Sequence, residues 1–244
     1  MNEIYKDKLE ILRQRIPIGL RHGLTLLEKV EGDLEKAENQ FAEEMVALTI
    51  AKTGVQSDVA IRHLTKNNFD IGLTIKSIDE ERYTLTELII RKYKDKKEDA
   101  LDKIVFAIEE QYNLKRNFWL NFGHLKSLPP EIYCFMTIME WLNYESWEDY
   151  QIALSFNLDL VAEQIDIKLG LSDLANSLKR AEQILTLIYE KYEVRNDHNN
   201  YSKATNELRE DKDFQKTENE FKEQKPKLID RLYELVQTNV DKFP

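Results

Sequence analysis

An all-α fold is predicted by three features of this chain. Seven glycines and five prolines among 244 residues leave long stretches without a helix breaker. Apolar residues recur three and four apart along most of its length, the period of a helix with one buried face. A charged content of 33% supplies the solvent-facing sides of such helices. A chain of this length buries about 70–75% of the surface its unfolded form exposes, so neither disulfides nor a metal are needed to hold it. The expected organisation is a helical region over 1–90, a helical bundle over 91–194, and a charged helical arm ending in an amphipathic tail over 195–244.

The elements follow in order. Leu20, Leu24 and Leu27 lie at i, i+4 and i+7, one apolar face of a short helix. Gly32 supplies the permissive backbone that stops it, and Asp33 is placed to cap the next helix. That helix runs on through Leu34, Ala37, Phe41, Met45 and Leu48. Residues 58–78 then repeat the spacing: Asp70 comes 37 positions after Asp33, and Ala60, Ile61, Leu64, Ile71 and Ile78 fall on Gly23, Leu24, Leu27, Leu34 and Phe41. Asn67 and Asn68 occupy the turn, where Asn tolerates left-handed angles. Helices are therefore expected over 9–30 and 33–78, with Asp33 and Asp70 at or beside N-caps, either as a tandem repeat or as ordinary helix pairs.

Residues 12–37 carry a more specific signal. Leu12, Arg13, Arg15 and Gly19, then Leu27, Gly32, Asp33 and Ala37, resemble the L-R-x-R…G and L…G-D-x-x-x-A of the N-terminal UBA-like module of elongation factor Ts. Ile16-Pro17 stands where that family has Thr-Gly, and His22-Gly23-Leu24-Thr25 replaces its Asp-Cys-Lys-Lys run. The resemblance implies a three-helix protein-binding module without chemistry of its own. It also implies a translation component such as elongation factor Tu as the partner. Such modules contact partners through the loop after their first helix, which here is Ile16, Pro17, Ile18 and Gly19, with Leu20 beside it. Two β-branched aliphatics in that loop gain roughly 1.5–3 kcal/mol each on burial, either against a partner or within this protein.

The middle of the chain reads as a helical body. Leu101, Ile104, Val105, Ile108 and Tyr112 mark an amphipathic helix. Pro129-Pro130 ends one element and opens another, since proline is tolerated in a first helical turn. The segment Glu131 to Leu142 is apolar on nearly every side and is expected at the centre. Ser146, three residues before Asp149, suggests a capping box for a helix through Phe156. Gly170 marks a turn, after which Leu171, Leu174, Leu178, Ala181, Leu185, Ile188 and Tyr192 form a packing seam. From Arg195 to Lys227 acids balance bases and aliphatics are few, the profile of a solvated helix or linker. Pro226 then precedes a tail helix bearing Leu228, Leu232, Leu235 and Val236.

Function is bounded mostly by exclusion. The net charge of −10 argues against nucleic acid as a partner of the whole surface. Cys134 stands alone in an apolar run, the pattern of a buried thiol in a reducing compartment. Glu3, Lys6, Asp7 and Lys8 are unlike a signal peptide, and the longest apolar run, Ile132 to Met139, is far too short to span a bilayer. The expected location is the cytoplasm. No glycine-rich phosphate loop, zinc ligand set, Glu-x-x-His pair or G-x-S-x-G elbow occurs, so no cofactor, metal or catalytic residue is assigned. The adjacent acids Glu43-Glu44, Glu80-Glu81 and Glu109-Glu110 point about 100° apart on a helix and read as solvated faces.

The leading expectation is a non-catalytic, intracellular protein-binding protein: an adaptor, inhibitor or assembly factor. An alternative is an all-helical ribonuclease of a toxin or defence system. Arg15 and His22, separated by six residues, are similar to the Arg…His pattern of HEPN nucleases, although Pro17 and Gly19 interrupt the spacer. A third reading is a structural subunit of a larger assembly, a homo-oligomer included. The large rings Phe118, Trp119, Phe122, Trp141, Tyr144, Trp147 and Tyr150 are core by default; several exposed in one patch would mark a protein interface instead.

Overall fold

The computed structural model describes residues 3–194 and 198–244, and among them the fold is all-α, without strands. The chain divides into two compact units, Met1–Thr84 and Leu85–Pro244. The boundary therefore falls before the expected 90. The reason lies in α6 (Leu85–Lys92), whose Thr86 N–H donates to the Pro244 carbonyl at 2.8 Å, tying it to the C-terminus of the second unit.

The first unit is a helical array built twice. Helix α1 (Lys6–Arg15), α2 (Leu20–Lys29) and the first half of α3 (Leu34–Thr53) enclose Leu9, Leu12, Ile18, Leu26, Leu27, Ala37 and Phe41. The second half of α3, with α4 (Ser57–Lys66) and α5 (Ile71–Arg82), repeats the arrangement 37 residues on. The correspondence reaches single hydrogen bonds. Gly32 N–H donates to the Leu27 carbonyl at 2.7 Å and Phe69 N–H to the Leu64 carbonyl at 2.8 Å. Asp33 caps α3 by accepting from Lys36 N–H at 3.1 Å, and Asp70 caps α5 by accepting from Leu73 N–H at 2.9 Å. Both turns use two consecutive left-handed residues, Glu31-Gly32 and Asn68-Phe69. Gly32 is required for a second reason: a Cβ there would strike the Tyr5 ring at 2.6 Å.

This repeated geometry places the loop Ile16–Leu20. Ile18 is only 5% exposed and packs against Gly23 in the first core, so it is not free to meet a partner. Ile16 is half-buried, while Pro17, Gly19 and Leu20 remain exposed. The equivalent of Ile18 in the second copy is Val55, also buried, which shows that this loop position serves to close each helical set. Ile18→Ala should cost about 2–5 kcal/mol in urea unfolding, and Ile18→Asp more, the behaviour of a core residue.

The second unit wraps around one helix. After α7 (Lys97–Gln111) and the short α8 (Phe122–Leu125), α9 (Pro130–Glu148) buries Ile132 and every residue from Cys134 to Leu142. Pro130 stands in its first turn, as read from the sequence. The helix extends past Leu142 to Glu148, so Ser146 lies inside it and donates back to the Asn143 carbonyl at 3.0 Å. Asp149 caps the following turn, α10 (Tyr150–Ala153), by accepting from Ile152 N–H at 3.1 Å. Helix α11 (Leu158–Ile167) and α12 (Ser172–Lys191) flank the expected turn at Gly170 and pack against each other. The seam of Leu174, Leu178, Ala181, Leu185 and Ile188 is buried.

The C-terminal segment differs most from expectation. Residues 195–197, where the charged stretch begins, lie outside the described residues. Beyond them α13 (His198–Glu210) and α14 (Lys212–Thr238) belong to the body of the unit, not to a separate arm. Helix α14 touches α7, α9, α12 and α13. It contains Pro226 without ending there, because Phe214, Phe221, Leu228, Leu232 and Val236 bury one stripe on both sides of the proline. That burial outweighs the lost N–H bond, which alone costs about 3 kcal/mol. Phe221 meets Trp141 edge-to-face at 5.5 Å and stacks on Tyr150 at 5.3 Å.

Cys134 lies fully inside this core, and burial pushes its thiol up to about 12. The thiolate is the reactive form. Native protein at pH 8 should therefore react with a maleimide only after denaturant is added, as counted by mass spectrometry.

Candidate site: an aromatic groove in the second unit

The loop from α7 to α8 leaves the helical body and returns to it at one buried carboxylate. Glu140 on α9 is 1% exposed. Its two oxygens accept from Arg116 Nη1 at 2.9 and 2.7 Å, and its Oε1 also accepts from Leu120 N–H at 2.7 Å. Arg116 reaches Glu109 on α7 as well, through Nε at 2.9 Å. Burial opposes the guanidinium charge, yet these carboxylates hold its pKa above the usual value. One cation thus serves two acids.

Trp119, in the same loop, packs edge-on against Tyr144 at 4.9 Å and Phe156 at 6.0 Å, and those two rings stack at 3.9 Å. Pinned on both sides, Phe118 adopts φ +62° and is 90% exposed. A left-handed conformation costs a non-glycine residue about 1–2 kcal/mol. The pinned neighbours overcome that cost, and the ring is held in water rather than folded inward. Asp149, after the last residue of α9, is also at positive φ, +86°.

A groove of about 790 Å³ runs beside this loop, between α7 and the end of α9. From α7 come Asp102 and Phe106, one helical turn apart; from α9 come Asn143 and Trp147, likewise four apart, with Glu148 at the rim. Trp147 is 81% exposed and Phe106 60%. Among the described residues neither Asp102 nor Glu148 has an ion-pair partner. Partial burial of the Asp102 carboxyl raises its pKa, and the like charges of Asp99 and Glu98 add to this.

The sequence had gathered the right rings without sorting them. Phe122, Trp141 and Tyr150 are core, Trp119 and Tyr144 half-buried supports, and Phe118 and Trp147 exposed. Phe106 was missed; its spacing from Asp102 on the outer face of α7 was the available signal. The other expected site residues lie in the first unit. Arg15 pairs with Glu38 at 2.9 Å and His22 with Glu44 at 2.7 Å, six residues apart along α3, so each is engaged by a different carboxylate. Among the described residues no group of His, Cys, Asp and Glu could hold a metal ion. No helix among them is long and apolar enough to cross a membrane.

Two substitutions separate support from display. Glu140→Ala leaves Arg116 with Glu109 alone and strands the Leu120 N–H, and should cost about 1–3 kcal/mol, with faster hydrogen exchange at Leu120. Phe118→Gly should leave stability unchanged or raise it by up to about 1 kcal/mol, since relief of the left-handed strain offsets the freedom glycine adds to the unfolded chain.

A family model described as the YfbN C-terminal domain matches residues 84–241. The Escherichia coli (strain K12) protein YfbN is 38% identical over 175 residues, which cover 72% of this chain and 73% of that protein. No solved structure matches. The chain belongs to the YfbN C-terminal domain family.

Proposed function

We propose that this chain is a non-catalytic protein-binding protein, an adaptor, inhibitor or assembly factor, whose main contact surface is the aromatic groove of the second unit. The observation that carries this reading is the exposure of Phe106, Phe118 and Trp147 around one concavity. Isolated exposed apolar residues are ordinary, but clustered aromatics beside a groove are what partner surfaces use as anchors. Fixing Phe118 in place before binding removes part of the ordering cost that association would otherwise incur.

The first unit supports the same class of function. Its two three-helix sets agree with a tandem UBA-like reading, and exposed Leu20, Ile61 and Leu73 offer apolar contacts there. With Ile18 committed to the core, any contact by the loop after α1 falls to Pro17 and Leu20. A translation component such as elongation factor Tu is the partner this resemblance nominates. The single buried cysteine fits a protein working in the reducing cytoplasm.

The test compares tagged wild-type chain with the Phe118→Ala/Trp147→Ala variant in pull-downs from the native host, read by mass spectrometry. A protein captured by the wild type and lost with the variant is expected, elongation factor Tu being the first to look for. Identical capture by both forms would remove the groove from the interface.

A further inference from the structure

The occupant of the groove can be narrowed by charge. Its one lining cation, Arg116, is already shared between Glu109 and Glu140, while Asp102 and Glu148 stand at the groove without ion-pair partners among the described residues. Counting Lys103, which lies beside Phe106 and acts on Asp102, the two unpaired acids still exceed the positive charge not already held by a carboxylate. Aromatic faces attract cations through their quadrupole, best at Trp. One ring shows this within the molecule: the Lys103 ammonium lies 5.6 Å from the Phe106 centroid. A phosphate-bearing ligand would be repelled by the same carboxylates and by the overall charge of −10.

Resting on the reading of this groove as a protein interface, we infer that it receives an arginine- or lysine-bearing segment of the partner. The cationic head sits against Trp147 and between the carboxylates of Asp102 and Glu148, while Phe106, already attended by Lys103, meets the segment's apolar part. Apolar side chains next to it cover Phe118. Asn117 and Asn143 line the same groove and supply amide groups for the segment's backbone. The volume, about 790 Å³, suits several consecutive side chains rather than a lone ion.

The experiment is a selection of random dodecapeptides displayed against the immobilised full-length chain. Parallel selections use Phe118→Ala/Trp147→Ala and Asp102→Asn/Glu148→Gln, both at exposed positions and both checked for unchanged urea unfolding. Peptides retained by the wild type and lost with the aromatic variant should carry Arg or Lys beside an apolar residue. Fluorescence anisotropy on a synthesised winner should show at least tenfold weaker binding to the Asp102→Asn/Glu148→Gln protein, and weakening as salt is raised. Groove-dependent peptides without a basic residue, or with equal affinity for the amide variant, would overturn the cationic occupant while leaving the protein-binding groove intact. If no peptide depends on the aromatic pair, both readings fall. Concentration-dependent dimerisation in sedimentation velocity, lost with the aromatic variant, would instead make the occupant a second copy of this chain and overturn the inference of a foreign segment.

Discussion

The second unit depends on one constraint: α9 is buried on every side from Cys134 to Leu142, so that stretch must be covered all round and its one buried carboxylate, Glu140, must be paired. Covering it recruits α8, α10, α11 and α14. Pairing it recruits Arg116 and the Leu120 N–H from a loop that would otherwise be free. An unpaired charge at that depth would cost several kcal/mol, so the loop has one well-defined place to land. The path of the α7–α8 connection follows from that single acid.

The same constraint carries from core to surface. With Arg116 and Leu120 fixed by Glu140, and Trp119 held by Tyr144 and Phe156, the residue between them has little freedom left. Phe118 takes a backbone conformation that aromatics avoid and a position that apolar rings avoid. Local strain of this kind persists only where surroundings over-determine it, and it gathers at ligand-contacting places. The groove is thus a consequence of how the core resolves its one buried charge, with the exposed rings rigidly supported from beneath.

The first unit reaches stability by a different economy. Helix α3 closes the first helical set with its N-terminal half and opens the second with its C-terminal half, so that Val46 and Thr49 stand where Leu9 and Leu12 stand 37 residues earlier. The two helical sets differ inside. His63 occupies the place of Leu26, equally buried, and is satisfied by Ser77 at 2.9 Å and Glu81 at 3.0 Å. A polar residue is accommodated in a core when its hydrogen bonds are satisfied there.

Much of this was legible in the residues themselves. The helical class, the stops at Gly32 and Gly170, the caps at Asp33 and Asp70, the 37-residue spacing and the central burial of Glu131–Leu142 are local properties. They depend on backbone preference and on periodicity, which a sequence displays directly. What failed were judgements about distant partners. Pro226 signals a break locally, yet α14 continues through it because Phe221 and Leu228 are claimed by the same core. The charge balance after Val194 suggested a solvated arm, yet one residue in every three or four there is enough to bury a stripe. Ile18 could face a partner or the body of the protein from its sequence alone, and its packing against Gly23 decides for the body. Whether an aromatic lies inside or outside depends on which surfaces surround it. Only the tertiary structure could set Trp141 in the core and leave Phe118 in water, because that choice is made by neighbours far away in the chain.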